Sequence, residues 1–259
     1  MRAYLDHATG APLHPQVRAV MDEFLGEEFG GPAGLHAHAA RPAAAIEEAR
    51  AEVAALVGAD PDDVVFTSGA TEARNLAVKG LMAANRSLGR RAVTTAVEHP
   101  AVLSACRCAA RDGGALEVVG GDGDGRVDPS ALAAAVDEHT ALVSVHHAQG
   151  EIGTVQDVEA LVGACRRARE GVRIHLDAGE TAGLLPIDMR AMDVDAVSIG
   201  GWPCGAPPWA GALVVRPGAR LRPLIEGGLQ EHGKRAGAEN VPAIAALGAA
   251  AALARQEMG

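Results

Sequence analysis

The residues of this chain that are best suited to chemistry stand where apolar runs give way to turns. In the stretch FTSGATEARNLAVKG (66–80), an apolar run passes through Ala70 and Thr71 into a helical pattern. Free backbone N–H groups at the start of a helix, with a hydroxyl beside them, can hold a phosphate or a carboxylate. The same residues also suit an ordinary capped helix start, because Thr and Glu are favourable in the first turn. The sequence leaves both interpretations open.

A second group of polar residues follows the apolar run in RIHLDAGETAG (173–183). Because side chains alternate along a strand, His175 and Asp177 share one face, and Glu180 comes in the following turn. A buried Asp at the end of a strand needs a cationic or protonated nitrogen, or backbone donors, as its partner. The pattern therefore indicates a carboxylate that can serve a ring nitrogen.

Histidines accompany two further strand ends. His99 stands in TTAVEHPAVLSAC (94–106) before a helix that starts with Pro, and VHHAQGEIGT (145–154) carries His146, His147 and Glu151 around a turn. A lone His in such a place is usually structural. Taken together, however, these strand ends offer a phosphate loop, a ring-stacking His and a carboxylate for a ring nitrogen.

The loop DAVSIGGWPCGAPPWAG (195–211) holds both tryptophans of a chain that is only 2% aromatic. Trp202, Pro203 and Cys204 follow directly on two glycines at the end of an apolar run. Cys204 is a candidate nucleophile, but no base stands beside it in the sequence, and a small buried side chain between prolines is the simpler interpretation.

The elements that must position these residues alternate between strands and helices, which predicts a three-layer α/β/α fold with a mostly parallel sheet of about seven strands. Sites in such sheets form at the carboxyl ends of the strands. Helical patterns occupy 42–58, 71–85, 100–113, 129–139 and 158–170, and the chain ends in a further one. The strand-like runs are VVFT (64–67), AVTTAV (92–97), LEVV (116–119), LVSVH (142–146), VRIHLD (172–177), DAVSI (195–199) and ALVVR (212–216).

Composition narrows the class of protein. The chain has 259 residues, 48% of them hydrophobic, and we expect a single domain over 1–259. The net charge of −10 argues against nucleic acid or an anionic membrane as a partner, because both require a basic surface. The sequence shows no signal peptide and no long apolar segment, so we expect a cytoplasmic protein. Its four cysteines form no CxxC pair.

The motifs resemble those of the cysteine desulfurases, within the class V aminotransferase group of fold-type I pyridoxal-phosphate (PLP) enzymes. Seven stretches follow in the family order: YLDHATGAP (4–12), GGPAGLHAHAARPAAAIEEAR (30–50), FTSGATEARNLAVKG, VEHPAVL, EIGTVQDV, HLDAGETAG and EGGLQEHGKRAGAENVPAI (226–244). The resemblance implies a dimer whose sites borrow residues from the partner subunit. It also implies roles in a PLP pocket for Ala70, Thr71, His99 and Asp177, and in binding a substrate carboxylate for Arg235.

The same resemblance exposes a concerted set of departures. The family's Schiff-base lysine matches Pro203, and the only lysines in the chain are Lys79 and Lys234. Without an amine at that position no internal aldimine can form. Family side chains that bind the phosphate or the pyridoxal hydroxyl match Gly200, Trp202, Ala238, Gly150 and Glu180.

These departures weaken binding as well as chemistry. Losing three phosphate donors at ~1.5–3 kcal/mol each costs several kcal/mol. An added carboxylate at Glu180 further disfavours an anionic ligand, and Trp202 and Pro203 would fill vacated space. The family's C-terminal small domain, with its sulfur-accepting cysteine, is also not expected here. We therefore predict no covalently bound cofactor.

Three hypotheses follow. The first is a non-catalytic relative, a pseudoenzyme of sulfur metabolism that forms a homodimer or pairs with a desulfurase-like chain and supports or regulates it. The second is an enzyme with new chemistry in the old cleft, using acid–base pairs or a divalent metal held by His146, His175, Asp177 and Glu180. The third is non-covalent PLP binding, with residual activity on a small amino-acid-like ligand.

Overall fold

A computed structural model describes residues 3–7, 10–111 and 113–258. It contains one seven-stranded sheet in the order β1-β7-β6-β5-β4-β2-β3. Five neighbouring strands pair in parallel, in the sheet order β3, β2, β4, β5 and β6. Strand β7 runs antiparallel to both β6 and β1. All seven expected strands are confirmed: β1 (Val64–Thr67), β2 (Arg91–Thr95), β3 (Ala115–Val119), β4 (Thr140–His146), β5 (Arg173–Ala178), β6 (Ala196–Gly200) and β7 (Gly211–Val215).

Helices cover the sheet, and the sequence pattern located all but the first of them. The helical pattern over 71–85 forms a single run, in which a π-helical turn (Leu76–Gly80) joins two α-helical segments. The helices are α1 (Pro15–Leu25), α2 (Ala37–Leu56), α3 (Ala70–Asn75), α4 (Leu81–Ala84), α5 (Pro100–Arg111), α6 (Pro129–Ala134), α7 (Val158–Ala168) and α8 (Val241–Met258).

Two apolar layers lie on opposite faces of the sheet. In β1, Val64 and Phe66 belong to one buried cluster and Val65 to the other, as the alternation of a strand requires. In β4, Leu142 and Val143 divide in the same way. This arrangement confirms the three-layer α/β/α fold, and it explains why the central strands read as nearly continuous apolar runs.

Close packing of α8 against α2 completes the larger of the two layers. A Cβ at Gly248 would stand 2.4 Å from the Cα of Ala49, so only glycine allows this approach of the two helices. Within the described part of the chain, no helix has both the length and the apolar character needed to span a membrane.

Candidate functional site

A small cavity lies at the carboxyl ends of β4 and β5, beside the first turn of α5. Its volume is about 50 Å³, and neither the helix start at Ala70 and Thr71 nor the turn at Pro203 lines it. The sequence predicted that strand-end residues would meet here, and the structure brings several of them together. The charged or imidazole side chains that line the cavity are those of Arg74, His99, His146, Glu151, Asp177 and Glu180.

Asp177 is the carboxylate at the centre of this site, and its partner is an arginine of the same chain. Nε of Arg74 donates to Oδ2 of Asp177 at 2.7 Å, and both side chains are almost completely buried. The other carboxylate oxygen, Oδ1, accepts hydrogen bonds from the Ser198 hydroxyl at 2.8 Å and from the Gly179 N–H at 3.0 Å. Each oxygen of Asp177 therefore already has donors within the protein.

These donors control the protonation of the group. Burial by itself would raise the pKa of Asp177, but the positive charge of Arg74 and the hydrogen bonds outweigh it and lower that pKa below its usual value. The carboxylate is consequently ionised at neutral pH.

A buried histidine extends this network across the sheet. Nε2 of His175 lies 3.1 Å from the Ser198 hydroxyl, and Nδ1 lies 2.8 Å from the hydroxyl of Ser144 on β4. Complete burial lowers the pKa of His175 to about 4, so the ring is neutral at pH 7. His175 thus joins Ser144 to Ser198, the serine that donates to Asp177, and it does not line the cavity.

His99 and Glu180 form the opposite wall of the cavity. Nδ1 of His99 accepts from the Ala101 N–H at 3.0 Å, and its Nε2 lies 3.8 Å from Oε1 of Glu180. The same Glu180 oxygen lies 3.6 Å from Nη2 of Arg74. Burial, reinforced by the charge of Arg74, lowers the pKa of His99 below its usual value. The ring is therefore neutral at physiological pH.

A second buried acid lies close behind this wall. Oε1 of Glu98 accepts from the backbone N–H of His146 at 2.8 Å and lies 3.3 Å from Nδ1 of the same residue. Its Oε2 is buried without a hydrogen-bond partner. Burial raises the pKa of Glu98 above its usual value.

The start of α3 carries a further carboxylate–arginine pair. Oε1 of Glu72 accepts from Nε of Arg235 at 3.0 Å, and its Oε2 accepts from the backbone N–H of Ser68 at 2.8 Å. Burial alone would raise the pKa of Glu72, but Arg235 and Ser68 together lower it. Thr71 is exposed beside this pair. Arg235, the expected carboxylate-binding residue, is therefore engaged by Glu72 and lies outside the small cavity.

The turn after β6 lies apart from the cavity. Trp202 donates from Nε1 to the carbonyl of His7 at 3.3 Å, and neither Trp202 nor Pro203 lines the cavity. That Trp202 and Pro203 fill vacated space stays a prediction. The thiol of Cys204 contacts the Gly201 carbonyl at 3.3 Å, and burial raises its pKa to about 12. This environment does not activate a nucleophile.

Glycines around the site mark where neighbouring side chains have taken the available space. A Cβ at Gly150 would lie 1.9 Å from Oε2 of Glu180, and a Cβ at Gly179 would lie 2.5 Å from Nη2 of Arg74. Bulk at Gly150 is therefore incompatible with the present position of Glu180.

The four residues considered for a metal are not gathered into a ligand set. His175 contacts Ser144 and Ser198, whereas His146 contacts Glu98 and Gln156. Across residues 3–7, 10–111 and 113–258, no three His, Cys, Asp or Glu side chains are grouped so that they could hold a metal ion.

The most important residue that the sequence analysis missed is Arg74. The motif containing it was read for its loop and its helix start, and Asp177 was known to need a cationic partner. A signal was present, because Arg74 is a cation on the apolar side of a helix that must cover the sheet. The partnership of Glu72 with Arg235 was also missed, because the two residues are 163 positions apart in the sequence.

The parallel sheet, its flanking helices and the strand-end Asp177 define the large domain of the PLP-dependent transferase fold. The chain belongs to the aminotransferase class-V family, whose model matches residues 3–259. A cysteine desulfurase IscS of Dictyoglomus turgidum is 40% identical over 256 residues, and a cysteine desulfurase of Cereibacter sphaeroides is 42% identical over 255. These matches cover 98% of this chain but only 64% and 65% of the two relatives.

Solved structures agree with this assignment. A NifS-like protein superposes with a TM-score of 0.96 at 33% identity, over all of this chain and 71% of that protein. The protein SspA in complex with cysteine superposes with a TM-score of 0.91 at 32% identity, over 96% of this chain and 72% of that one. The resemblance to cysteine desulfurases is thereby confirmed.

PLP is the cofactor that this fold class implies. The residues of the cavity, as they are arranged, do not fit a pyridine ring. Oδ2 of Asp177 is bonded to Arg74, and the cavity that both residues line encloses about 50 Å³.

Proposed function

We propose that this chain is a cysteine desulfurase-like pseudoenzyme, which acts by pairing with another chain and does not form a PLP Schiff base. Its partner is a second copy or a desulfurase-like chain that it supports or regulates. The observation that carries the proposal is the lack of a primary amine at the expected Schiff-base position, which is Pro203 in a chain that has only two lysines.

The positions of those two lysines support the proposal. Lys79 lies on the π-helical turn and lines a separate cavity with Arg86 and Arg222. Lys234 follows the turn at 230–233, and its charge acts on Asp63. Neither residue lines the cavity beside Asp177, and a Schiff base requires an amine within bonding reach of the aldehyde.

Exposed apolar side chains favour a role in binding. Leu35, ahead of α2, is fully exposed, and Leu229, in the segment 226–244, is 88% exposed. Phe29 is also largely exposed. We propose that another protein chain covers these side chains, as happens to apolar residues at the core of an interface. In the family that the sequence resembles, the segment containing Leu229 approaches the neighbouring subunit.

Association is tested by mass. The chain alone, and the chain mixed with a full-length cysteine desulfurase of the NifS-like type, are measured by light scattering after size exclusion. We expect a dimer or a mixed complex. The double variant Leu35→Asp/Leu229→Asp is expected to weaken association at least tenfold, because it buries two charges at the interface. Val118→Asp, on the edge strand β3, is the matched control. A monomer in every mixture would contradict the proposal.

Catalysis is tested separately. Alanine release from free cysteine is followed with and without added PLP, using an active cysteine desulfurase as the positive control. We expect no release above the PLP-only background. Release that saturates with cysteine and persists in the Lys79→Gln and Lys234→Gln variants would show that the protein is an enzyme.

The proposal also includes the localisation of the protein and its domain organisation. The acidic net charge and the absence of a spanning helix in the described residues are consistent with a cytoplasmic partner protein. We also propose that the region works as one domain.

A further inference from the structure

We propose that Arg74 closes the pocket at Asp177 to PLP by occupying the place of the pyridine ring. Its guanidinium provides the cationic N–H that a protonated ring nitrogen would otherwise bring. This inference goes beyond the proposed function, which rests on the missing amine and concerns covalent attachment. Here the subject is whether the cofactor can bind at all.

The first argument is the saturation of Asp177. Oδ1 accepts from Ser198 and from the Gly179 N–H, at 2.8 and 3.0 Å. Oδ2 accepts from Nε of Arg74 at 2.7 Å. A pyridinium nitrogen therefore has to displace Arg74 before it can reach the carboxylate.

The second argument is the depth at which Arg74 is held. The residue is only 3% exposed. It enters from α3 and packs its Nη2 against the backbone of Gly179, where even a Cβ would stand 2.5 Å away. A buried guanidinium that loses its carboxylate is costly, because its charge cannot reach water. Displacement of Arg74 by a ligand therefore carries this penalty as well.

The third argument is Glu180, which complements Arg74. Its Oε1 lies 3.6 Å from Nη2 of Arg74, and its Oε2 fills the space over Gly150. A carboxylate here repels a ligand that carries a phosphate and a phenolic oxygen. Arg74 and Glu180 thus form an internal ion pair in which each group reinforces the exclusion.

Together these contacts place one cation and two carboxylates of the chain where a ring would stack beneath His99. The cavity that remains is about 50 Å³. The site is therefore satisfied internally, and the chain needs no cofactor to neutralise Asp177.

The experiment uses pyridoxamine phosphate as the probe, because it lacks the aldehyde and cannot form Schiff bases with Lys79 or Lys234. Binding to the whole chain is measured by equilibrium dialysis for the wild type, Arg74→Asn and Arg74→Asn/Glu180→Gln. Arg86→Asn, which changes an exposed arginine elsewhere, is the control. Circular dichroism and thermal melting establish that each variant is folded.

We expect no saturable binding by the wild type or by Arg86→Asn at pyridoxamine phosphate concentrations up to 1 mM, which means that their Kd lies above 1 mM. Arg74→Asn should bind at least tenfold more tightly than the wild type, and the double variant more tightly again. Arg74→Gln, which keeps an N–H donor near Asp177, is the second variant if Arg74→Asn does not fold, and it should show a smaller gain.

Saturable binding by the wild type, with an affinity equal to that of Arg74→Asn or Arg74→Gln, would overturn the inference. So would a lack of binding by every folded variant at Arg74, because some other feature would then close the pocket. Neither result would touch the proposed function, which fails instead if the chain releases alanine from cysteine or never associates with another chain.

Discussion

Two buried arginine–carboxylate pairs in this molecule look alike but are built differently. Arg50 on α2 binds both carboxylate oxygens of Glu231, at 3.0 Å each, and also donates to the Val64 carbonyl at 2.8 Å. Glu231 in turn accepts from the Phe66 N–H at 2.7 Å, and the guanidinium lies 5.0 Å from the centre of the Phe66 ring. Arg74 instead reaches Asp177 through a single nitrogen and stands beside a cavity. Each arginine also has a second carboxylate nearby, Glu47 at 3.2 Å from Arg50 and Glu180 at 3.6 Å from Arg74.

We interpret Arg50 and Glu231 as a structural pair, and Arg74 as a side chain that takes the place of a ligand at Asp177. Arg50 and Glu231 satisfy one another from both sides and join the α2 face to a turn in which Glu231 and His232 adopt left-handed backbone angles. Arg74 and Asp177 lie where the strand ends converge, and Glu180 can share the charge of Arg74. We therefore expect the first pair to be less tolerant of change than the second.

The largest effect is expected for Glu231→Gln, which leaves Arg50 buried without its bidentate partner. Breaking a buried pair from one side costs about 3–5 kcal/mol of unfolding free energy. Glu47→Gln is the matched control, because Glu47 also contacts Arg50 at 3.2 Å but is exposed; it should cost less than about 1 kcal/mol. Urea unfolding measures both, and equal losses would refute the structural role of Glu231.

The second largest effect is expected for the pH dependence of the unfolding free energy, which we attribute to the titration of His175. The unfolded chain takes up a proton at this residue near pH 6.5, whereas the folded chain does so only near pH 4, the value to which burial lowers the pKa. Stability is thus complete above pH 6.5 and is lost as the pH falls toward 4. The loss attributable to His175 amounts to about 3 kcal/mol.

His175→Gln is the comparison for this prediction, since glutamine keeps hydrogen-bonding groups but does not titrate. Its stability between pH 7 and pH 4.5 should fall less steeply than that of the wild type. Glu98 acts in the opposite direction, because burial raises its pKa and protonation then favours the folded state. The contribution of Glu98 is the same in the wild type and in His175→Gln. If the stability of the two proteins fell equally steeply with falling pH, the assignment to His175 would be wrong.

Asp177→Asn should cost less than Glu231→Gln, about 1–3 kcal/mol. Asp177 and Arg74 share one hydrogen bond, whereas Glu231 and Arg50 share two, and the asparagine can still accept from Ser198. Adding Glu180→Gln should then cost more than it does in the wild type, which a double-mutant cycle in urea reports. A cost equal to that of Glu231→Gln would erase the distinction between the two pairs.

The smallest effect is expected for Glu72→Gln at the start of α3, about 1 kcal/mol or less. The pair with Arg235 is partly exposed, at 14% and 21% for the two side chains, and the Ser68 N–H can still bond to the glutamine. Glu52→Gln, which breaks an exposed pair with Arg255, is the control. Thermal melting of the two variants should differ by only a few degrees.

Much of the fold could be predicted from the sequence because its strands are buried on both faces and read as apolar runs. VVFT and LVSVH carry that pattern without ambiguity, and β1 and β4 lie where the runs are. Helix α1 was missed although Val17, Met21 and Phe24 recur at helical spacing; of its residues, Val17 and Phe24 are buried. The residues of the candidate site were found one strand end at a time, and His99, Asp177 and Glu180 do meet at one cavity.

The partners of those residues could not be predicted from the same patterns. Arg74 and Asp177 are separated by 103 positions along the chain, and Glu72 and Arg235 by 163. No local period relates them, and any of many cations could have served either carboxylate. Their pairing depends on how α3 is rotated against the sheet.

The sequence by itself determined the alternation of strands and helices, the family to which the chain belongs and the lack of a lysine at position 203. Those properties are local or additive, since each depends only on the types of residues and on their spacing along the chain. Only the tertiary structure decided that Asp177 is neutralised from within and that Arg235 is held by Glu72. Electrostatic partnership depends on distance and burial in space, and these arise when the helix start and the strand ends are brought together.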